Sequence, residues 1–229
     1  MISKLLEVTQ IGSTPAGLFD IPEKYWPDAG QYLPCQRITG TPEVLVTNLF
    51  RTVGLAGGLT LSPLPENWYP GDEIAYLAPQ GNGFHLPSTV SRVGLLAWGV
   101  APVRLLPLVR LAMDQKAAVT LFYDVGNDQD ILSWVPSVVE VVPVSTLGDY
   151  LDWMDFLVVD LELAALDALA GVISGAVLPF EGQVLIRTPM PCRGLGACGV
   201  CAVKTKRGWR FACKDGPVFS LGEVLHVAQ

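Results

Sequence analysis

The stretch MPCRGLGACGVC, residues 190–201, decides how the rest of this sequence is interpreted. It holds three cysteines, and together with Cys213 it accounts for four of the five cysteines in the chain. Their spacing is C-x5-C-x2-C-x11-C. Three thiols on one glycine-rich loop, with a fourth returning after a hairpin-sized interval, predict a compact site built from four thiolates.

The cysteine spacing favours an iron–sulfur cluster as the occupant of that site. The plant-type [2Fe–2S] spacing is C-x4-C-x2-C…C, and this loop differs from it by one extra residue in the first gap. Gly194, Gly196 and Gly199 can adopt positive φ, so the loop can curl and point its N–H groups at sulfur. Structural zinc sites usually contain two C-x2-C pairs, and this chain has one. Zinc and disulfide pairing remain alternatives.

The run MPCRGLGACGVCAV, followed by FACKDGPVF, resembles the C-terminal iron–sulfur module of the electron-transfer subunit of dihydroorotate dehydrogenase B. In that family the fourth cysteine ligand of a [2Fe–2S] cluster precedes a D-G-P-V-F run, here residues 215–219. The resemblance implies an electron relay between NADH and a dihydroorotate-oxidising FMN subunit in pyrimidine biosynthesis. It also implies four metal ligands: Cys192, Cys198, Cys201 and Cys213.

Composition and charge limit the classes of function. Half of the 229 residues are hydrophobic and 16% are charged, which is enough to build a substantial core. No secretion signal precedes the first predicted strand, and no uninterrupted apolar run reaches the roughly 18 residues that a membrane span needs. The net charge of −7 argues against nucleic-acid binding. We therefore expect a cytoplasmic protein with neither a membrane nor a nucleic acid as partner.

The charge is distributed unevenly along the chain. Residues 187–214 contain seven of the 15 basic residues and no acidic residue, which leaves 8 basic and 22 acidic residues elsewhere. Cations around an anionic cluster would stabilise its reduced form and steer an acidic partner towards it. A solvated hairpin that is merely rich in Lys and Arg is the alternative.

The order of predicted elements indicates a β plus α/β fold with three parts. Residues 1–90 contain short apolar runs broken by Gly, Pro and Asn, which predicts a small antiparallel barrel of the FAD-binding type. Residues 91–176 alternate strands with helices, which predicts a Rossmann-like parallel sheet of the NAD-binding type, with one helix beginning at Asp160. Residues 177–229 form the [2Fe–2S] module. The lone Cys35 is expected in the barrel core.

Two phrases resemble the flavin barrel of the ferredoxin-reductase superfamily: AGQYL at residues 29–33, and PGDEI continuing to PQGNGF at residues 70–84. That superfamily binds FAD through an R-P-x-[ST] strand, which this chain lacks. Its degenerate counterpart is the QRIT run at residues 36–39. FAD is therefore a possible cofactor. The candidate contacts that the resemblance implies are Arg37, Thr39, Gly81, Asn82 and Gly83.

The nicotinamide signatures of the same superfamily are altered. Gly99-Val100-Ala101-Pro102 keeps the second half of a G-G-x-G-x-A-P turn, so Gly99 is the candidate nucleotide contact, but Trp98 stands where a glycine allows close phosphate approach. The C-G-P signature is replaced by Val159-Asp160-Leu161. These changes predict a domain that keeps its fold and has lost NAD(H).

Two hypotheses follow. The first is an electron-transfer subunit, rather than a self-sufficient enzyme, that relays electrons to a dihydroorotate dehydrogenase catalytic subunit or another redox flavoprotein. The second is a zinc-stabilised, non-catalytic assembly subunit of an oxidoreductase complex.

Overall fold

A computed structural model describes residues 1–40, 46–54, 57–124, 126, 128–173 and 180–225 of the chain. These residues form a closed barrel, a six-stranded sheet flanked by short helices, and a two-stranded hairpin. In this part of the chain, no helix is long and apolar enough to cross a membrane.

The N-terminal barrel is closed and antiparallel throughout, with strand order β1-β2-β5-β4-β3-β6. Its strands are β1 (Ile2–Ile11), β2 (Thr14–Phe19), β3 (Tyr32–Arg37), β4 (Thr47–Arg51), β5 (Leu59–Ser62) and β6 (Glu73–Tyr76). Inward side chains such as Leu5, Leu33 and Leu61 are fully buried and fill the interior. Cys35 lies among them as a buried core residue, as the sequence predicts. The predicted barrel is thereby confirmed.

The second unit is a sheet of order β14-β11-β10-β7-β8-β9. All neighbours are parallel except β14, which pairs antiparallel with β11. Its strands are β7 (Arg92–Ala97), β8 (Ala118–Phe122), β9 (Glu140–Val142), β10 (Phe156–Glu162), β11 (Glu181–Arg187) and β14 (Val218–Ser220). Both faces of β10 are buried, which explains its nearly continuous apolar sequence. The predicted α/β unit is present.

Short helices accompany this sheet. A 3-10 turn at Pro102–Arg104 precedes α1 (Leu106–Asp114), and α2 (Leu166–Ile173) follows β10. The predicted helix start at Asp160 is wrong, because β10 continues to Glu162 and a 3-10 turn separates it from α2. Hydrogen bonding to β7 and β11 on either side keeps Asp160 extended.

The last part of the chain is interleaved with the α/β sheet. Strands β11 and β14, which the sequence analysis places in the C-terminal module, are hydrogen-bonded into that sheet. Between them lie the cysteine loop, the hairpin β12 (Ala202–Thr205) and β13 (Gly208–Phe211), and α3 (Ala212–Asp215). A final short helix, α4 (Leu221–Val224), follows β14. The division of domains at residue 177 stays a prediction, but the loop is fixed at both ends by strands of one sheet.

Candidate metal centre

The cysteine loop has the backbone conformation that its glycines allow. Gly194, Gly196 and Gly199 have φ of 85°, 67° and 73°, and Arg193 is also left-handed at 55°. Repeated positive φ turns the chain back on itself, so that successive N–H groups face the same concave side. The backbone N–H groups of Gly196 and Ala197 donate to the sulfur of Cys192.

The four predicted ligands meet at this loop. Cys192 Sγ lies 3.7 Å from Cys213 Sγ. The Cys198 thiol also contacts Cys192, and the Cys201 thiol contacts Cys213. Two thiolates on one tetrahedral metal with bonds of about 2.3 Å are separated by about 3.7 Å, so Cys192 and Cys213 already have the spacing of metal ligands.

The hairpin explains how Cys213 reaches the loop. Strand β13 pairs with β12 and returns the chain to the loop, with Ala202 opposite Phe211. The N–H of Ala212 then donates to the carbonyl of Cys201 at 2.9 Å. The side chain of Asp215 accepts from the N–H of Phe211 at 2.8 Å and closes the turn of α3. The interval between Cys201 and Cys213 is therefore a hairpin, as its length in the sequence indicates.

The thiols differ in burial and acidity. Cys201 and Cys213 are buried, Cys192 is half-buried and Cys198 is exposed. Burial by itself would raise the pKa of Cys192, but hydrogen bonds from Ala197 and Gly196 and contacts with neighbouring thiols lower it to about 6. Burial raises the pKa of Cys213 to about 12, and the adjacent thiols add to the rise. The loop thus favours negative charge at Cys192, as a metal-binding thiolate requires.

The thiol contacts run from Cys198 through Cys192 and Cys213 to Cys201. Among the residues that the structure describes, no three His, Cys, Asp or Glu side chains are gathered so that they could hold a single metal ion. A [2Fe–2S] cluster has two irons that share four protein ligands. The set of four thiols and the N–H groups that donate to Cys192 fit such a cluster.

The barrel holds the loop in place. Tyr32, at the start of β3, is fully buried, and its hydroxyl donates to the carbonyl of Cys213 at 2.9 Å. Asn82 donates from its side chain to the carbonyl of Asp215 at 2.7 Å and from its N–H to the carbonyl of Gly216. These hydrogen bonds connect positions more than 130 residues apart, and only the folded structure reveals them.

The predicted flavin contacts are not gathered at one site. The guanidinium of Arg37 donates to the carbonyl of Asn67 and lies 3.8 Å from Asp72. The hydroxyl of Thr39 accepts from the N–H of Glu73 at 2.6 Å. Both side chains therefore make their contacts with other residues of the barrel.

The glycine-rich turn of the same prediction faces the C-terminal module. A Cβ added at Gly81 would lie 2.5 Å from the carbonyl of Gly216, and one added at Gly83 would lie 3.0 Å from the carbonyl of Ala29. The GNGF turn thus packs against backbone on both sides. The assignment of Arg37, Thr39, Gly81, Asn82 and Gly83 to FAD stays a prediction to which these contacts give no support.

The predicted nucleotide turn lies at the carboxyl edge of the α/β sheet. Gly99 has a φ of 64° and lines a small cavity of about 250 Å³ with Ser13, Tyr123 and Asp124. The hydroxyl of Ser13 donates to Asp128 at 2.8 Å, which ties the β1–β2 turn to this edge. The role of Gly99 in binding NAD(H) stays a prediction.

Sequence reasoning missed a buried ion triad at the same edge. Asp160 is completely buried, and its two carboxylate oxygens accept from Arg104 Nε at 2.8 Å and Arg187 Nε at 3.0 Å. In the sequence, Asp160 is interpreted as a helix start and as a change in a nucleotide signature, and not as a buried ion. The regular pairing of β10 with β11 places Asp160 beside the end of β11, where Arg187 lies. A buried carboxylate needs such partners. A single aspartate in an otherwise apolar strand could therefore have indicated a buried ion pair.

Comparisons with known proteins agree with the site. The sequence model of the iron–sulfur cluster binding domain of dihydroorotate dehydrogenase B matches residues 188–225. The electron transfer subunit of dihydroorotate dehydrogenase B (NAD(+)) from Clostridium perfringens is 30% identical over 166 residues, which cover 67% of each protein.

Solved structures share the fold. An NADH-dependent reduced ferredoxin-NADP oxidoreductase aligns with a TM-score of 0.71 at 17% identity, over 98% of this chain and 90% of its own. A ferredoxin NADP+ reductase from Neisseria gonorrhoeae, solved with bound FAD and NADP, aligns with a TM-score of 0.57 at 12% identity, over 82% of this chain and 97% of its own. At these identities the likeness concerns the fold alone.

Proposed function

This chain belongs to the family of electron-transfer subunits of dihydroorotate dehydrogenase B, and we propose that it relays electrons through a [2Fe–2S] cluster held by Cys192, Cys198, Cys201 and Cys213. The observation that carries the proposal is the mutual contact of these four thiols, with the sulfurs of Cys192 and Cys213 3.7 Å apart. The cluster would supply one-electron storage, which no side chain of this chain provides.

The protein's own groups prepare this site for negative charge. The N–H groups of Gly196 and Ala197 donate to Cys192 sulfur, and such hydrogen bonds raise the reduction potential of a bound cluster. The hydrogen bond from Tyr32 to the Cys213 carbonyl fixes the deeper side of the loop. Burial of Cys201 and Cys213 excludes water on that side, whereas exposed Cys198 leaves a short path to the surface.

The surface around Cys198 suits contact with another protein. Leu195, Val200 and Trp209 are exposed by 76%, 54% and 67%. Because Trp209 is mostly exposed, its ring does not cover the cysteine loop when no partner is bound. Basic residues of the loop and hairpin lie in the same segment, with no acidic residue between Arg187 and Lys214. Exposed apolar side chains in a segment rich in Lys and Arg suit contact with an acidic redox partner.

The proposed partner is a dihydroorotate dehydrogenase-type flavoprotein, and the process is pyrimidine synthesis. The relative from Clostridium perfringens carries that enzyme's name. Clustered free cysteines are typical of a reducing compartment, so we propose the cytoplasm as the location. FAD remains a possible second cofactor that the fold supports. The residues present do not define its site, so no step of the relay is derived through it.

Electron transfer between the purified proteins tests this function. The chain, prepared anaerobically and reduced, would be mixed with the catalytic subunit of dihydroorotate dehydrogenase from the same organism, and flavin and cluster absorption would be followed in a stopped-flow instrument. We expect rapid flavin reduction that slows as the salt concentration rises. A Cys213→Ser chain is the matched control and should transfer no electrons. Transfer at equal rates from both chains would contradict the proposal.

The zinc hypothesis is separated from the relay by the same preparation. A structural zinc site gives a colourless protein that assembles with its partner but accepts no electron. An iron–sulfur protein is coloured and is bleached on reduction.

A further inference from the structure

A cleft of about 570 Å³ opens between the barrel and helix α1. We call this space the α1 cleft. The described residues that line it include none of the cysteines, so it is separate from the candidate metal centre. Its volume is within the range of small-ligand sites, which are often found between domains. Both units of the fold contribute apolar and aromatic side chains to its walls, among them Trp26, Val53, Phe84, Pro107, Leu111 and Trp134.

Hydrogen bonds within the chain hold the walls of the α1 cleft in place. The indole N–H of Trp26 donates to the carbonyl of Ile21 at 2.7 Å, which fixes the ring. The buried hydroxyl of Thr52, the residue after β4, donates to the carbonyl of Val103 at 2.8 Å. This second bond joins the barrel to the turn that precedes α1. The cleft is therefore formed without a ligand, as small-molecule sites usually are.

Charged side chains of both signs line the α1 cleft. They are Arg51 and Arg110 on one hand, and Asp28 and Asp114 on the other. In the part of the chain that the structure describes, none of these four side chains forms an ion pair. Their charges sum to zero, so the cleft as a whole favours neither a simple anion nor a simple cation. A ligand that carries both charges could use both kinds of side chain.

Arg51 is the charged group that is least screened by water. It is half-buried, whereas Arg110, Asp28 and Asp114 are exposed. Its guanidinium lies over the ring of Trp26, 5.3 Å from the ring centroid, and this contact orients the planar group without using its N–H donors. Those donors are not among the buried polar atoms of the described chain, so a ligand can reach them. A carboxylate would therefore be bound more strongly at Arg51 than at an exposed cation.

We propose that the α1 cleft binds a small zwitterion with an aromatic ring, of the class of the aromatic α-amino acids. The carboxylate of the ligand would accept from Arg51, and its ammonium group would lie beside Asp28 or Asp114. The ring would pack against the apolar wall that includes Trp134. The inference goes beyond the electron relay and does not depend on it, because the cleft and the cysteine loop share no described residue.

Titration calorimetry on the intact, cluster-containing chain tests this site. The probe is L-tryptophan, and two fragments with the same ring are compared with it. Tryptamine keeps the ammonium group without the carboxylate, and indole-3-propionate keeps the carboxylate without the ammonium group. We expect saturable binding of L-tryptophan that is at least about fivefold tighter than that of either fragment, because each fragment leaves one sign of charge unpaired. No saturable binding of L-tryptophan, or equally tight binding of either fragment, would overturn the proposal.

Substitutions locate the site. Arg51→Met should weaken L-tryptophan binding at least about fivefold and leave tryptamine unchanged, because tryptamine has no carboxylate. Unchanged tryptamine binding also shows that the cleft is intact in this variant. Asp28→Asn combined with Asp114→Asn should weaken L-tryptophan and tryptamine but leave indole-3-propionate unchanged.

Matched controls change the same residue types outside the cleft. Arg92→Met removes an arginine from an exposed pair at the start of β7, and Asp167→Asn removes an exposed carboxylate on α2. Both controls should bind L-tryptophan as the parent chain does. Unchanged L-tryptophan binding in the cleft variants, or an equal loss in the controls, would contradict the proposal.

Discussion

The cysteine loop and the carboxyl edge of the α/β sheet are neighbouring regions that handle charge in opposite ways. The loop brings together four thiols, and backbone N–H groups donate to the sulfur of Cys192 and lower its pKa. The sheet edge buries a carboxylate but neutralises it with two arginines from the chain itself. The first region is arranged for a cofactor, whereas the second already contains the counter-charges of its buried ion.

This difference bears on the prediction that the α/β domain keeps its fold and has lost NAD(H). The fold aligns with structures of ferredoxin reductases, and the sequence analysis predicts that Trp98 and Asp160 replace residues of the nucleotide signatures. Asp160 pairs with Ala97 in the register of β7 and β10, and the N–H of Trp98, which directly follows β7, donates to the carbonyl of Asp160 at 2.9 Å. The sheet therefore tolerates them without distortion.

The largest expected effect concerns the loop. Cys213→Ser replaces a buried ligand, and we expect the purified chain to lose its cluster entirely, because four thiolates are needed and a hydroxyl binds iron poorly. Iron analysis after anaerobic purification measures this. Cys35→Ala is the matched control. It removes a buried thiol from the barrel core, so it should keep its iron and lose about 1 kcal/mol of stability. Equal iron in both variants would mean that Cys213 is not a ligand.

The next effect concerns the sheet edge. Asp160→Asn leaves two buried guanidinium groups without their carboxylate, and it should lower the free energy of unfolding by about 3–5 kcal/mol. Urea denaturation measures the loss. Asp155→Asn breaks an exposed pair with Arg92 and should cost far less, because water screens exposed charges. Equal losses of stability in the two variants would contradict the claim that the buried ions at Asp160 contribute more than the exposed pair of Arg92 and Asp155.

A smaller effect is expected where the barrel supports the loop. Tyr32→Phe removes the hydroxyl that donates to the buried carbonyl of Cys213. An unsatisfied buried carbonyl costs about 1–3 kcal/mol, so unfolding should require less free energy by that amount. The cluster should remain bound but its reduction potential should shift, which protein-film voltammetry would detect. An unchanged potential together with unchanged stability would show that the barrel does not position the loop.

The smallest effect concerns Asn82. Asn82→Ala loses the side-chain hydrogen bond to the carbonyl of Asp215, which lies near the surface. We expect a loss of about 1 kcal/mol in the free energy of unfolding, with cluster content unchanged. Flavin content should also be unchanged relative to the parent chain. Loss of a bound flavin in this variant would instead support the flavin role that the GNGF motif predicts.

The fold and the cysteine site were largely predictable from the sequence. Strand periodicity and turn residues are local signals, and the spacing of Cys192, Cys198 and Cys201 lies within ten residues. The hairpin that returns Cys213 is also local. These features do not depend on which distant strands become neighbours.

The remaining features depend on long-range pairing. Strand β11 joins the sheet beside β10, and only this pairing places Arg187 on Asp160. The contact of Tyr32 with Cys213 spans 181 positions, and that of Asn82 with Asp215 spans 133. No sequence window contains both partners. The helix wrongly predicted at Asp160 has the same origin, because pairing on both sides extends the strand beyond its local propensity.

Iron and acid-labile sulfide, measured on the anaerobically purified chain together with its visible absorption, test the central claim most directly. The account predicts two irons and two sulfides per chain and a brown protein that is bleached by one electron. A colourless protein with a single zinc ion, or one without bound metal, would contradict it.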